Sequence, residues 1–89
     1  MIGTEKQIQW AEKIKNNFVA LVERKIKFYR DMGSPDADID ALRRWVDAIC
    51  GEEKASRWIE DRYGLGNEAV EHAICDIMRE KTPAMPWGK

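Results

Sequence analysis

The sequence predicts an all-α fold, a small four-helix domain with one long N-terminal helix and an extended C-terminal tail. Three observations carry that expectation. Apolar residues recur at three- and four-residue spacing through most of the 89 residues, and capping residues, glycines and prolines divide them into four stretches. No stretch alternates apolar and polar residues between turn signals, as a half-buried strand would. The expected single domain, 1–89, has helices at about 5–31, 39–50, 52–62 and 68–81, with a tail at 82–89.

The first helix begins after Thr4-Glu5-Lys6-Gln7, which fits a capping box: the Thr4 hydroxyl accepts from the Gln7 backbone and the Gln7 side chain reaches back to Thr4. It ends near Asp31, because Gly33 supplies a left-handed residue and Pro35 cannot prolong the helix. The span is about 40 Å at 1.5 Å per residue. On a helical wheel Ile8, Trp10, Ala11, Ile14, Phe18, Val19, Leu21, Val22, Ile26, Phe28 and Tyr29 share one half of the circumference, so the helix needs partners on more than one side. Lys15 and Lys25 fall inside that half, where their stems are expected to cover apolar surface and their ammonium groups to reach water. On the polar half, Lys6, Lys13, Arg24 and Lys27 form one ridge and Glu5, Glu12 and Glu23 another.

The second helix is capped by Ser34, with Pro35 at its first position, or by Asp38. The wheel favours Asp38, since a helix already running there would aim its carboxylate into the arc of Ile39, Leu42, Trp45, Val46 and Ile49. Gly51 ends it. A third helix stops at Gly64, with Ala55, Trp58, Ile59 and Tyr63 on its apolar side, and Asn67 caps a fourth whose stripe is Val70, Ala73, Ile74, Ile77 and Met78. Two prolines keep residues 82–89 from continuing that helix. Trp45, Trp58, Phe18, Leu42 and Ile74 are the expected core.

Composition excludes several function classes. At 44% hydrophobic, 35% charged and net charge -1, the chain is expected to be globular, and its longest apolar run, Phe18 to Val22, is far short of a membrane span. Charged residues interrupt any signal-peptide core near the N-terminus, so a cytoplasmic setting is expected, with Cys50 and Cys75 as free, reduced thiols. No glycine-rich phosphate cradle is present. Glu68, His72 and Asp76 lie at four-residue steps with Cys75 adjacent, but such mixtures are common on solvated helix faces and no second ligand set exists. No catalytic residue, metal ligand or cofactor site is therefore expected, and the chain reads as non-enzymatic.

Four tryptophans stand out. Trp45 and Trp58 read as core wedges; Trp10, at the edge of its arc, and Trp87, in the tail beside Met85, are candidates for contact with a partner. Arg62 projects on the third helix between Trp58, Ala55 and Ile59, where it can stack on the Trp58 indole and fix helix docking, or belong to a Trp and Arg hot spot. Residues 4–31 carry seven basic and four acidic side chains, a balance of +3 against -4 for the rest. The ridge of Lys6, Lys13, Arg24 and Lys27 supports an alternative as a nucleic-acid accessory protein, opposed by the acidic remainder and by the lack of an interleaved aromatic residue for stacking.

Thr4-Glu5-Lys6-Gln7 followed by Trp10-Ala11, together with Ala55, Trp58-Ile59 and Arg62, resembles a group of short uncharacterised bacterial and phage-associated proteins. That group opens a long helix with Thr-Glu-Lys-Gln-x-x-Trp-Ala and has a later Ala-x-x-Trp-Ile-x-x-Arg segment. No activity is established for it, so the resemblance transfers no catalytic residue. It implies a small interaction protein of a mobile element, directed at a host or defence protein. The leading expectation is a helical protein–protein interaction module that binds another protein or itself through leftover apolar surface of the first helix and the tail.

Overall fold

A computed structural model describes residues 1–86. The order is α1 (Glu5–Asp31), α2 (Asp36–Cys50), α3 (Ala55–Glu60), a 3-10 helix (Arg62–Leu65) and α4 (Asn67–Met78). Among the described residues there is no strand, only an isolated parallel bridge between Ile2 and Lys54. Trp87 lies outside the described residues.

The α1 limits follow the chemistry expected of them. Thr4 Oγ1 accepts from Gln7 N at 3.2 Å and Gln7 Oε1 accepts from Thr4 N at 3.0 Å, completing the capping box. At the other end Gly33 takes φ +87°, and Ser34 N donates to Tyr29 O while Gly33 N donates to Arg30 O, closing the helix with a Schellman motif. At about 1.5 Å per residue α1 matches the 42 Å long axis of the molecule.

The second helix ends at Cys50 with Gly51 as its C-cap, as expected, and the other boundaries depart from expectation. The second helix starts at Asp36, not after an Asp38 cap: Pro35 is the capping residue, and Asp38 N and Ile39 N both donate to its carbonyl. Asp36 and Asp38 sit in the first turn, where a carboxylate favours the helix dipole, and Asp38 stays half-buried at the edge of the arc. The third helix starts at Ala55 because residues 52–54 are held extended. Ile2 N donates to Glu53 O at 2.6 Å and Ala55 N to Ile2 O at 2.9 Å, so the N-terminal segment satisfies an orphan amide of α3. This close approach needs Gly3, at φ +155°, since a Cβ there would stand 3.0 Å from Ala55 Cβ. After Glu60 the chain tightens into the 3-10 helix, which carries Tyr63 out to solvent at 84% exposure instead of into the core.

The fourth helix is capped by Gly66, Asn67 being its first residue, and it ends three residues earlier than expected. Its terminus is another Schellman motif, with Glu80 in the left-handed position at φ +60°. The end of α4 turns Met78 half outward, at 47% exposure.

α1 packs against α2 and α3, and α4 packs against α2 and the 3-10 helix. Trp45, Trp58, Phe18, Leu42 and Ile74 are all buried, with Phe18 edge-on to both tryptophans. Trp58 is fully enclosed and donates from Nε1 to Glu52 O at 3.0 Å. The tail through Pro86 lies back on the domain: Trp45 Nε1 donates to Ala84 O at 3.2 Å, and Met85 is half-buried against the core.

Candidate interaction surface

Both lysines on the apolar half of α1 keep partial exposure and also reach protein acceptors. Lys15 Nζ donates to Cys50 O at 3.4 Å, placing a cation at the C-terminus of α2. Lys25 pairs with Glu71 of α4, and Tyr29 Oη donates to the other carboxylate oxygen at 3.1 Å. The Lys25 hydrogen bond, helped by that of Tyr29, holds the Glu71 carboxyl below its ordinary pKa against the opposing effect of burial. Tyr29 is raised, by burial first and then by the adjacent carboxylate. On the other side of α1, Arg43 of α2 pairs with Glu23 at 3.1 Å.

Between the Lys25 line and the basic ridge a strip of α1 is left open. Trp10, Ile14, Leu21, Phe28 and Met32 fall within a strip about 40° wide on the helical wheel. Trp10 is 48%, Phe28 56% and Met32 69% exposed; Ile14 and Leu21 are half-buried. Positions 10, 14, 17, 21, 24 and 28 alternate spacings of four and three, the register of a coiled-coil seam, with Asn17 and Arg24 as its polar members. Lys6, Lys13 and Lys27 border the strip and Arg24 sits at its edge within the seam, all exposed. Near the Glu71 end, Leu21, Arg24, Lys25 and Phe28 with Asn67 and Glu71 line a shallow open groove.

At the Trp10 end stands Arg62. Because the 3-10 helix turns it away from the α3 axis, its guanidinium lies over Trp10, 5.2 Å from the ring centroid, and over Tyr63 at 4.7 Å. The indole expected beneath it, Trp58, belongs to the core. Arg62 also donates to Ile59 O, and to Tyr63 Oη at 3.3 Å. A planar cation held between two rings, with its remaining N–H groups uncommitted to any carboxylate among the described residues, is preorganised to receive one.

The structure thus brings Trp10 and Arg62 together, sets Met85 against the core, and strings the four basic residues beside exposed aromatic side chains. The expectation of a ridge without nearby aromatics is corrected: Trp10 and Phe28 flank it. Phe28 and Tyr63 were not singled out by the sequence pattern. The seven-residue steps from Ile14 to Leu21 to Phe28 held the signal for the first, and nothing local held it for the second.

Elsewhere the chemistry is sparse. Among the described residues no group of three His, Cys, Asp or Glu side chains is placed to hold a metal ion. Burial raises the Cys50 thiol despite the nearby Lys15, which makes it a poor nucleophile. A cavity of about 20 Å³ between Tyr29, Ile39, Leu42, Ile74 and Ile77 has room for one water, and a wider open cleft of about 460 Å³ runs between α2 and the tail, lined by Arg44, Trp45, Ile77, Lys81, Pro83 and Met85. No helix among the described residues is long and apolar enough to cross a membrane. Compared with family models, characterised proteins and solved structures, the chain matches none.

Proposed function

We propose that the protein is a non-enzymatic interaction module that docks a partner protein along the open strip of α1. The observation that supports this reading is the line of Trp10, Ile14, Leu21 and Phe28, kept in seam register with Asn17 and Arg24 and left without a covering helix among the described residues. A host or defence protein as target of a mobile-element product is what the resemblance supports, and a cytoplasmic setting is what the charged residues near the N-terminus support. The test is a photo-crosslinking residue placed at Phe28 or Leu21 in source cells, with Glu12 on the opposite face as control. A protein adduct from the strip that is absent from position 12 is the expected result; equal labelling from both faces refutes docking there.

A second reading has one observation in its favour: Trp10 and Phe28, beside Lys6, Lys13, Arg24 and Lys27, combine stacking surfaces with charge as single-strand binders do. Loss of the adduct on nuclease treatment would select it. The acidic remainder of the chain and the aliphatic Ile14 and Leu21 at the middle of the strip weigh against it.

A further inference from the structure

We infer that the occupant of this strip is an amphipathic helix of a partner protein with acidic side chains along its edge, one of whose carboxylates is received by Arg62. The inference rests on the docking reading and adds the chemistry of the partner. Its first support is shape. From Trp10 to Phe28 the strip runs straight for about 27 Å at 1.5 Å per residue, and its four-and-three spacing is what knobs of a facing helix require.

Charge is the second support. Lys6, Lys13 and Lys27 border the strip on one side with Arg24 at its edge, and none of them pairs with a carboxylate among the described residues, where the ion pairs are Lys25–Glu71 and Arg43–Glu23. Arg62 adds a fifth cation at the Trp10 end, already stacked and lacking only an anion. A facing helix with glutamates or aspartates on its edge would neutralise all five, whereas a neutral or basic helix would desolvate them without return.

The same rim argues against a second copy of this chain. In a two-fold contact each surface meets itself, so α1 crossing α1 antiparallel through Leu21 brings the lysine rim of one copy against the lysine rim of the other. A parallel arrangement would drive the Arg62 and α4 edge of one copy into the rim of its partner, matching cation with cation at the Trp10 end and leaving only Glu71, already held by Lys25 and Tyr29, to face the other end.

The experiment uses the full chain and three fluorescein-labelled probes. One is a monomeric helix of about 20 residues with leucine at a, alanine at d and glutamate at e and g; the second has lysine at e and g; the third is a thymidine oligonucleotide of similar length. Anisotropy is expected to show the glutamate probe binding at least tenfold more tightly than the lysine probe. The double variant K13E/R24E, both positions exposed, is expected to invert that order, and Phe28→Ala to weaken both peptides. Arg62→Lys is expected to weaken the glutamate probe severalfold while circular dichroism shows an unchanged helix content.

Equal affinity for the two peptides, no binding of the glutamate probe, or tighter binding of the oligonucleotide would overturn the inference. So would concentration-dependent dimerisation abolished by Phe28→Glu. A strip-specific protein adduct in cells together with such a failure would leave the docking reading standing and remove only the acidic helix; absence of the adduct removes the docking reading itself.

Discussion

Two helices of this protein end in the same motif with different residues at its left-handed position, which allows the backbone contribution to be measured in both directions. Gly33 follows α1 at φ +87° and Glu80 follows α4 at φ +60°, each with the same pair of closing hydrogen bonds. A residue bearing a Cβ gives up about 1–2 kcal/mol in the left-handed region, while glycine there forfeits about 0.4–1 kcal/mol through the greater freedom of its unfolded chain. The difference is about 0.5–1 kcal/mol in favour of glycine. Gly33→Ala isolates it, because a Cβ at Gly33 would meet no atom within 4 Å, so no side-chain clash adds to the backbone cost. Gly33→Ala is expected to lower stability by that amount, and Glu80→Gly, at an exposed position, to raise it. For a domain of this size about 1 kcal/mol moves Tm by about 4–8 °C, so thermal melts followed by circular dichroism resolve both changes. Shifts in the same direction, or a lower Tm for Glu80→Gly, would refute the reasoning and show that the Glu80 side chain holds the start of the tail in place.

Other outcomes follow from the core and its seams. Trp58→Ala should cost about 3–5 kcal/mol, a large share of the total expected for a chain this short, and a near-unchanged urea midpoint would contradict its burial. For Glu71, whose folded pKa is depressed, the stabilisation from Lys25 and Tyr29 is complete above the ordinary value of 4.5 and disappears as pH falls through the lower folded value. The stability gap between wild type and Glu71→Gln should therefore be constant near neutrality, at most about 1 kcal/mol for this partly exposed pair, and close in acid. Ending the chain at Lys81 removes the Trp45–Ala84 hydrogen bond and the Met85 contact. It should lower the urea midpoint by the equivalent of about 1–3 kcal/mol without loss of helix content.

What was legible in the sequence is what local chemistry decides. Thr4 and Gln7 fix one end of α1 and Gly33 the other, since the groups that satisfy each terminus lie within a few residues of it. The start of α3 was not legible, because the Ile2 carbonyl that receives Ala55 N comes from 53 residues upstream. Nor was the end of α4, where Glu80 occupies a position that the sequence pattern reserves for glycine. Arg62 shows how a small backbone change relocates a functional group. A continuous α-helix would point it along the Trp58 face, but the 3-10 turn carries it over Trp10 and exposes Tyr63. Trp10 was legible as an arc edge. Phe28 sits on the same edge of the broad apolar half, and periodicity alone does not tell which flank of such a face the other helices cover.

The answer to which flank is covered lies in Lys25. It stands on the wheel between buried Phe18 and Val22 with half-buried Tyr29 on one side and the open strip of Leu21 and Phe28 on the other, and it has to be paired if a helix is to close over it. Glu71 supplies that pairing from the near edge of α4, with Tyr29 donating to the same carboxylate, so the polar cluster marks the line where intramolecular packing stops. For α4 to advance over Leu21 and Phe28 it would have to carry Glu71 past Lys25 and give up this partly exposed pair, at a cost of at most about 1 kcal/mol. The opposite flank is closed at Glu23 by Arg43. The two ion pairs thus mark where α4 and α2 meet α1, which also packs against α3. The strip between Lys25 and the basic ridge lies outside these margins, and the surface it presents combines apolar side chains with cations that pair with no carboxylate among the described residues.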